Sequence, residues 1–454
     1  MKIWPMRSAA KTRTGPWTAH IRPHRASGPS VWGKLPFYCL VGFVATQGFL
    51  IPVMALPVNW AMWPSLPDIF GYSMFASVLL SRKRQRLAQL ESDTLRDLLW
   101  MLGLFAANFL FVTVPNSQSG VGVKFGGFTL LLLIKYILVF WAASHIPMTN
   151  ARLRMLQWAS FLAFAWIIVT MVADRFHLIE IDRMTGHLPA AVAGHWGVVN
   201  LNSTVGPNHG QTSTALLLLS AFSVMSAGPL LGWLTEALVL LAGGVGTFLT
   251  GSRQGVVRFA TFVVVYLASR PKRLLLIGFA MAFFLLLFTS QISLKDVTQS
   301  EPVQASLERQ MVLLQDPLTS EGLSGRPEIW RSVLDTLSER PIRWIIGYGI
   351  GNYAEFKNAA HNMVLQLLQD GGVVLLVGVT WVWISVFRRV WHARHRSWHL
   401  VALTAGLLSS AFTSGIFYPN LASGWYLGFY FVSMHVCFGA AFTRPSDGRT
   451  RGPS

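Results

Sequence analysis

Apolar runs close to the ~20 residues that cross a bilayer recur along this chain at about 35–56, 60–80, 95–114, 126–146, 157–175, 210–227, 229–249, 254–268, 272–290, 362–386, 399–417 and 425–443. Short polar turns separate most of them. The pattern predicts an all-α polytopic membrane protein of about twelve transmembrane helices, filling residues 35–443. Polar tails flank it at 1–34 and 444–454, and one large polar loop interrupts it at 291–360. Inside that loop, Val303, Leu307, Met311 and Leu314 recur at helical spacing and predict a short amphipathic helix. A second helix is expected to start at Pro327, with Ile329, Trp330, Val333, Leu334 and Leu337 on one face and an end before Pro341.

Composition agrees with the pattern: 52% of residues are hydrophobic and 12% charged, with a mean hydropathy of +0.46. Charge then orients the spans. With the N-terminus inside, the cytoplasmic turns and tails hold 24 of the 37 lysines and arginines, while short external segments hold 4 (Lys124, Arg175, Arg183, Arg253). By the positive-inside rule this puts both termini in the cytoplasm and the 291–360 loop outside. The net charge of +18 sits mainly where anionic lipid would attract it. No compact basic module is present for nucleic acid, and none is expected as a partner. The first 67 residues lack any acid, and 1–34 reads as a disordered basic cytoplasmic tail. Cys39 and Cys437 both fall in spans, so no disulfide framework exists and both read as packing residues.

The chemistry-bearing residues gather on the external side. A tight turn, TGSRQG at 250–255, places Arg253 at the outer start of a span, with Arg258 about a turn and a half deeper. Arg253 either snorkels to the headgroups or binds an anion between two glycines that allow close approach. Arg326 stands just before the second loop helix, as a solvated charge or as a phosphate clamp. His361 and Asn362 follow the glycine-rich GYGIGNY, where the loop re-enters an apolar helix. Neutral imidazole suits removal of a proton from a sugar hydroxyl. Asp370, inside the following span beside Gly371-Gly372, is the alternative base, since an intramembrane acid is a functional candidate by default. His187, His195 and His209 are scattered, and no metal-ligand spacing occurs.

The order SGRPEIW, GYGIGNY, HN and LQLLQDGG resembles the signature region of the O-antigen ligase and O-antigen polymerase superfamily, and TGSRQG and GPNHG are similar to its upstream motifs. The resemblance covers roughly residues 200–375. It implies a GT-C-like glycosyltransferase of the bacterial inner membrane, working on the periplasmic face with undecaprenyl-pyrophosphate-linked glycan as donor and with no cofactor or obligatory metal. It further implies Arg253 and Arg326 on the pyrophosphate, His361 activating the acceptor hydroxyl, and Asn362, Asn208 and Ser252 as substrate contacts. The chain departs from the family where another arginine often precedes the Pro-Asn motif: His195 and Trp196 stand there, with Arg175 and Arg183 further upstream.

The acceptor would be lipid A–core for a ligase, or a second lipid-linked glycan for a polymerase of O-antigen, capsule or exopolysaccharide; a third branch glycosylates protein. The residues do not choose between them, and the ligase is carried forward on its frequency in the superfamily. A polysaccharide transporter or flippase is the reading from another class. Transporters place ionisable groups near the midplane in repeated halves, whereas here polar clusters gather on one face and no repeat is visible.

Overall fold

The computed structural model describes residues 31–49, 65–81, 87–175, 178–179, 209–225, 233–250, 252–268, 326–352, 360, 362–394, 397–411 and 424–443. Among them there is helix and no strand. The helices are α1 (Val31–Ala45), α2 (Leu66–Leu80), α3 (Gln89–Asn108), α4 (Val121–Ser144), α5 (Asn150–Arg175), α6 (His209–Met225), α7 (Trp233–Leu249) and α8 (Arg253–Ala268). They continue as α9 (Arg326–Ser338), α10 (Ile342–Ile346), α11 (Met363–His392), α12 (Trp398–Leu408) and α13 (Gly424–Thr443). Every predicted span except 272–290 overlaps one of these helices in whole or in part; that span, the 303–314 helix, the 444–454 tail and most of the 1–34 tail lie outside the described residues.

Among the described residues, four helices are long and apolar enough to cross a membrane: Gln89–Asn116, Val121–Ser144, Asn150–Asp174 and Met363–His392. The others described are shorter. The 15-residue α2 spans only about 22 Å at the α-helical rise. Its start is set by Asp68, whose Oδ2 accepts from the Ser65 backbone N–H at 3.0 Å and from Ser65 Oγ at 3.1 Å. Asp68 also pairs with Lys135 of α4; with Glu91, Glu236 and Asp370 it is one of four buried acids among the described residues.

The helices sort into a lined interior and an outward ring. In α6 the run from Ala215 to Leu219 is buried on every side, together with Ala221, Phe222 and Val224, which is the signature of a central helix. It packs against α5, α7, α8, α12 and α13. By contrast α3, α4, α5 and α11 expose large apolar side chains, among them Trp100 at 67% and Trp381 at 69%, a surface suited to lipid rather than water. The chain is an all-helical polytopic membrane protein. Between α3 and α11 a groove of about 360 Å³, lined by Trp100, Leu104, Val377, Gly378 and Trp381, opens at this apolar surface.

Segments that the charge pattern assigns to one side also meet in space. At one end, Arg343 Nη2 donates to Asn116 Oδ1 at 2.7 Å and Thr113 Oγ1 donates to the Ile350 carbonyl at 3.1 Å. At the other, Arg389 pairs with Asp97, and His435 lies between Glu91 and the Ile146 carbonyl.

Candidate functional site

The TGSRQG turn is held by its own hydroxyls. Thr250 Oγ1 donates to Thr247 O at 2.6 Å, and Ser252 Oγ accepts from the Gly255 N–H at 3.1 Å. Ser252 is therefore the N-cap of α8, which makes Arg253 its first residue. A Cβ on Gly255 would lie 2.4 Å from Ser213 Cβ, so the glycine is what lets α8 sit against α6.

Arg326 occupies the first position of α9. Burial, and then the charge of Arg253, push its guanidinium below the ordinary arginine range. The structure thus brings together two arginines separated by 73 positions in sequence (326 − 253), each opening a helix whose N-terminus carries partial positive charge. The charge of Arg326 is also felt at Arg258, which is 3% exposed within α8. Arg258 Nη1 donates to Thr214 Oγ1 at 2.6 Å, Nη2 to Gln254 Oε1 at 3.3 Å, and Nε to Ser410 Oγ. Thr214 and Ser410 were not singled out from the sequence. The only signal for them was the cost of placing Arg258 inside an apolar span, which demands polar neighbours from other helices.

His361 and Asn208 lie outside the described residues, but both neighbours of His361 are placed. The Ala360 carbonyl accepts from Trp330 Nε1 at 2.9 Å, one turn along α9 from Arg326. The Ala360 N–H donates to Gln366 Oε1 at 3.0 Å. Asn362 is the N-cap of α11, its Oδ1 accepting from the N–H groups of Val364 at 2.9 Å and Leu365 at 3.2 Å. That side-chain oxygen is committed to the helix end and fixes where α11 begins. Met363 N–H then reaches across to the Ala411 carbonyl beyond α12 at 3.2 Å.

Asp370 is fully buried two turns into α11. Its Oδ2 accepts from Gln366 Nε2 at 3.0 Å. Just beyond it α11 breaks at Gly372 (φ 61°, ψ −162°). The carbonyls of Gln369 and Asp370, at the break, accept from the backbone N–H groups of Tyr348 at 2.8 Å and Gly349 at 2.7 Å. GYGIGN is therefore a plug for a broken helix. Gly349 has φ 103°, and a Cβ there would lie 2.5 Å from Thr113 Cα, where α3 passes through a π-helical turn at Phe109–Thr113. Asn108 ties the plug down, donating to Asp370 O at 3.2 Å and accepting from the Ile350 N–H at 2.9 Å.

These pieces converge: the starts of α8 and α9 carry the arginines, α9 holds the residue before His361, and the end of α12 holds the residue after Asn362. Such a place offers positive charge beside backbone held by hydrogen bonds at Ala360, Asn362 and Met363. Among curated proteins, none matches the chain. A family model described as O-antigen ligase matches residues 237–380, the stretch that contains Ser252, Arg253, Arg258, Arg326, His361, Asn362 and Asp370. That match supports the O-antigen ligase and polymerase superfamily over this stretch of the chain.

Proposed function

We propose that the chain transfers a glycan from undecaprenyl pyrophosphate to lipid A–core on the periplasmic face of the bacterial inner membrane, as an O-antigen ligase. The observation that carries this reading is that Arg253 and Arg326 stand at the first residues of two helices within electrostatic reach of each other, with Arg326 one turn from Trp330, which holds the Ala360 carbonyl. Guanidinium forks match phosphate oxygens, and helix N-termini add to the attraction for an anion. His361 takes the proton of the acceptor hydroxyl as its oxygen bonds to the anomeric carbon. The bond from that carbon to the pyrophosphate oxygen breaks with its electron pair, from the opposite face, so the anomeric configuration inverts. Arg253 and Arg326 hold the charge that develops on the departing undecaprenyl pyrophosphate; the reading gives this task to them and not to a metal. Ser252 and Asn362 serve by capping the helices that present Arg253 and His361, and Asn208 belongs to the segment leading into α6. Asp370 is the competing base, with Gln366 on its carboxylate.

Sidedness in this reading rests on the 24-to-4 charge asymmetry, which also gives the cytoplasmic turns their anionic lipid partners. The deciding experiment uses purified full-length protein in detergent with undecaprenyl-pyrophosphate-linked glycan and lipid A–core. Glycan appearing on lipid A–core is the expected result. Lengthened lipid-linked glycan instead would make the chain a polymerase. No transfer to either acceptor, with movement of the lipid-linked glycan across vesicle membranes, would make it a transporter.

A further inference from the structure

We infer that Arg258 is a positioning residue, joining the arginine-bearing start of α8 to the backbone that presents His361; the inference rests on the transfer reaction proposed above. A guanidinium buried in an apolar helix is costly unless its donors are met. Those of Arg258 are met on three elements. Nη2 holds Gln254, the neighbour of Arg253 in the first turn of α8. Nη1 holds Thr214 of α6, whose own hydroxyl proton goes to Gly210 O at 2.7 Å, leaving its oxygen to accept. Nε holds Ser410, whose hydroxyl proton goes to Leu407 O at 3.3 Å, so this oxygen also accepts.

Ser410 leads directly into the histidine segment. The next residue, Ala411, donates its N–H to Leu408 O at 2.9 Å, closing a turn at the end of α12. Its carbonyl accepts from Met363 N–H at 3.2 Å, two residues beyond His361. One side chain therefore fixes both the residue beside Arg253 and the turn from which the start of α11 hangs. The close approach is built in: a Cβ on Gly406 would lie 2.8 Å from Arg258 O, so only glycine lets α12 lie this near α8. Lysine would keep the positive charge, but its single ammonium cannot reach three partners spread around a planar fork.

The test measures kcat and donor KM for Arg258→Lys, Ser410→Ala and the double variant, with undecaprenyl-linked glycan and lipid A–core in detergent. Ser410→Ala should lower kcat about threefold to tenfold and Arg258→Lys about tenfold to a hundredfold, with donor KM little changed, since Arg253 and Arg326 remain. The double variant should be no slower than Arg258→Lys alone, because both cut one path. Unchanged kcat in both single variants, or losses that multiply in the double variant, would overturn the inference. A raised donor KM at unchanged kcat would also overturn it, making Arg258 a direct donor contact. Should Arg258→Lys not fold, Ser410→Ala decides by itself: wild-type kcat and an unmoved pH–rate midpoint would sink the coupling. Arg253→Ala and His361→Gln report on the transfer reading separately. If both are active, that reading fails; if both are dead while the Arg258 and Ser410 variants are silent, only the coupling fails.

Discussion

The two ends of the bundle handle buried charge in opposite ways. At the end where α3 begins and α11 finishes, acids are matched one to one: Glu91 with His435, Asp97 with Arg389, and Glu236 with the phenol of Tyr266. At the end where α8 and α9 begin, Arg253 and Arg326 repel each other, and Arg258 is oriented by two hydroxyls and an amide. The partners named here aim the Arg258 guanidinium by hydrogen bonds from neutral groups. The first arrangement holds helices together; in the second, two arginines open two helices whose N-termini attract anions. On the proposed function, the same residue types serve structure at one end and a site at the other.

The comparison predicts which property each variant loses. The double variant Arg253→Ala/Arg326→Ala should drop transfer on the order of 10⁴-fold or more, as several charge-assisted bonds to phosphate are lost together. Its thermal stability should change far less than its activity, because the like-charge repulsion between the two arginines is removed with them. Assay of transfer and thermal unfolding on one preparation checks both halves; activity within tenfold of wild type would return these arginines to a structural role.

Glu91→Ala should do the reverse. It strands His435 in the interior and removes the carboxylate whose Oε2 accepts from the Ala88 N–H at 3.0 Å. Breaking a buried pair costs about 3–5 kcal/mol, so yield and unfolding temperature should fall. The protein that does fold should transfer glycan at near the normal rate per molecule. A variant with full stability and poor turnover would show that this end, too, takes part in the reaction.

Gly349→Ala lies between these cases, since the glycine plug belongs to the fold but ends beside Asp370. A side chain at φ 103°, in contact with Thr113, should cost about 1–3 kcal/mol. Unfolding temperature and yield of the purified variant check it; unchanged stability would mean that the break in α11 does not need this plug.

Much of this was legible in the sequence because it is local. Apolar runs marked the helices, Gly371-Gly372 marked the break, and TGSRQG marked the turn that carries Arg253. The 326–338 helix followed from Pro327 and the spacing of Val333 and Leu337, both of which are buried. Asn362 as a cap could have been read from its place before an apolar helix, and Ser65 with Asp68 from their capping spacing. What could not be read is the distant half of each polar contact. Arg258 meets Thr214 and Ser410 across 44 and 152 positions, and Asn108 meets Ile350 across 242. No periodicity encodes which helix a buried donor will face. Glycine spacing showed that GYGIGN must pack closely, but not that it would fill the break in α11.

The finest test of the contrast uses one phenol from each end. Tyr266 donates to Glu236, so Tyr266→Phe withdraws a partner from a buried carboxylate and should cost about 1–3 kcal/mol. Tyr426 is equally buried, at 4% exposed, and lies within electrostatic reach of Arg258, yet its hydroxyl has no hydrogen-bond partner among the described residues. Removing an unsatisfied hydroxyl gives back a desolvation cost and loses no bond, so Tyr426→Phe should leave the unfolding temperature unchanged or slightly higher. Transfer by that variant should stay within about twofold of wild type if the hydroxyl meets nothing during turnover. A loss beyond tenfold at unchanged stability would mean that the Tyr426 hydroxyl finds its partner in the substrate, and the site would then extend from the arginines down to α13.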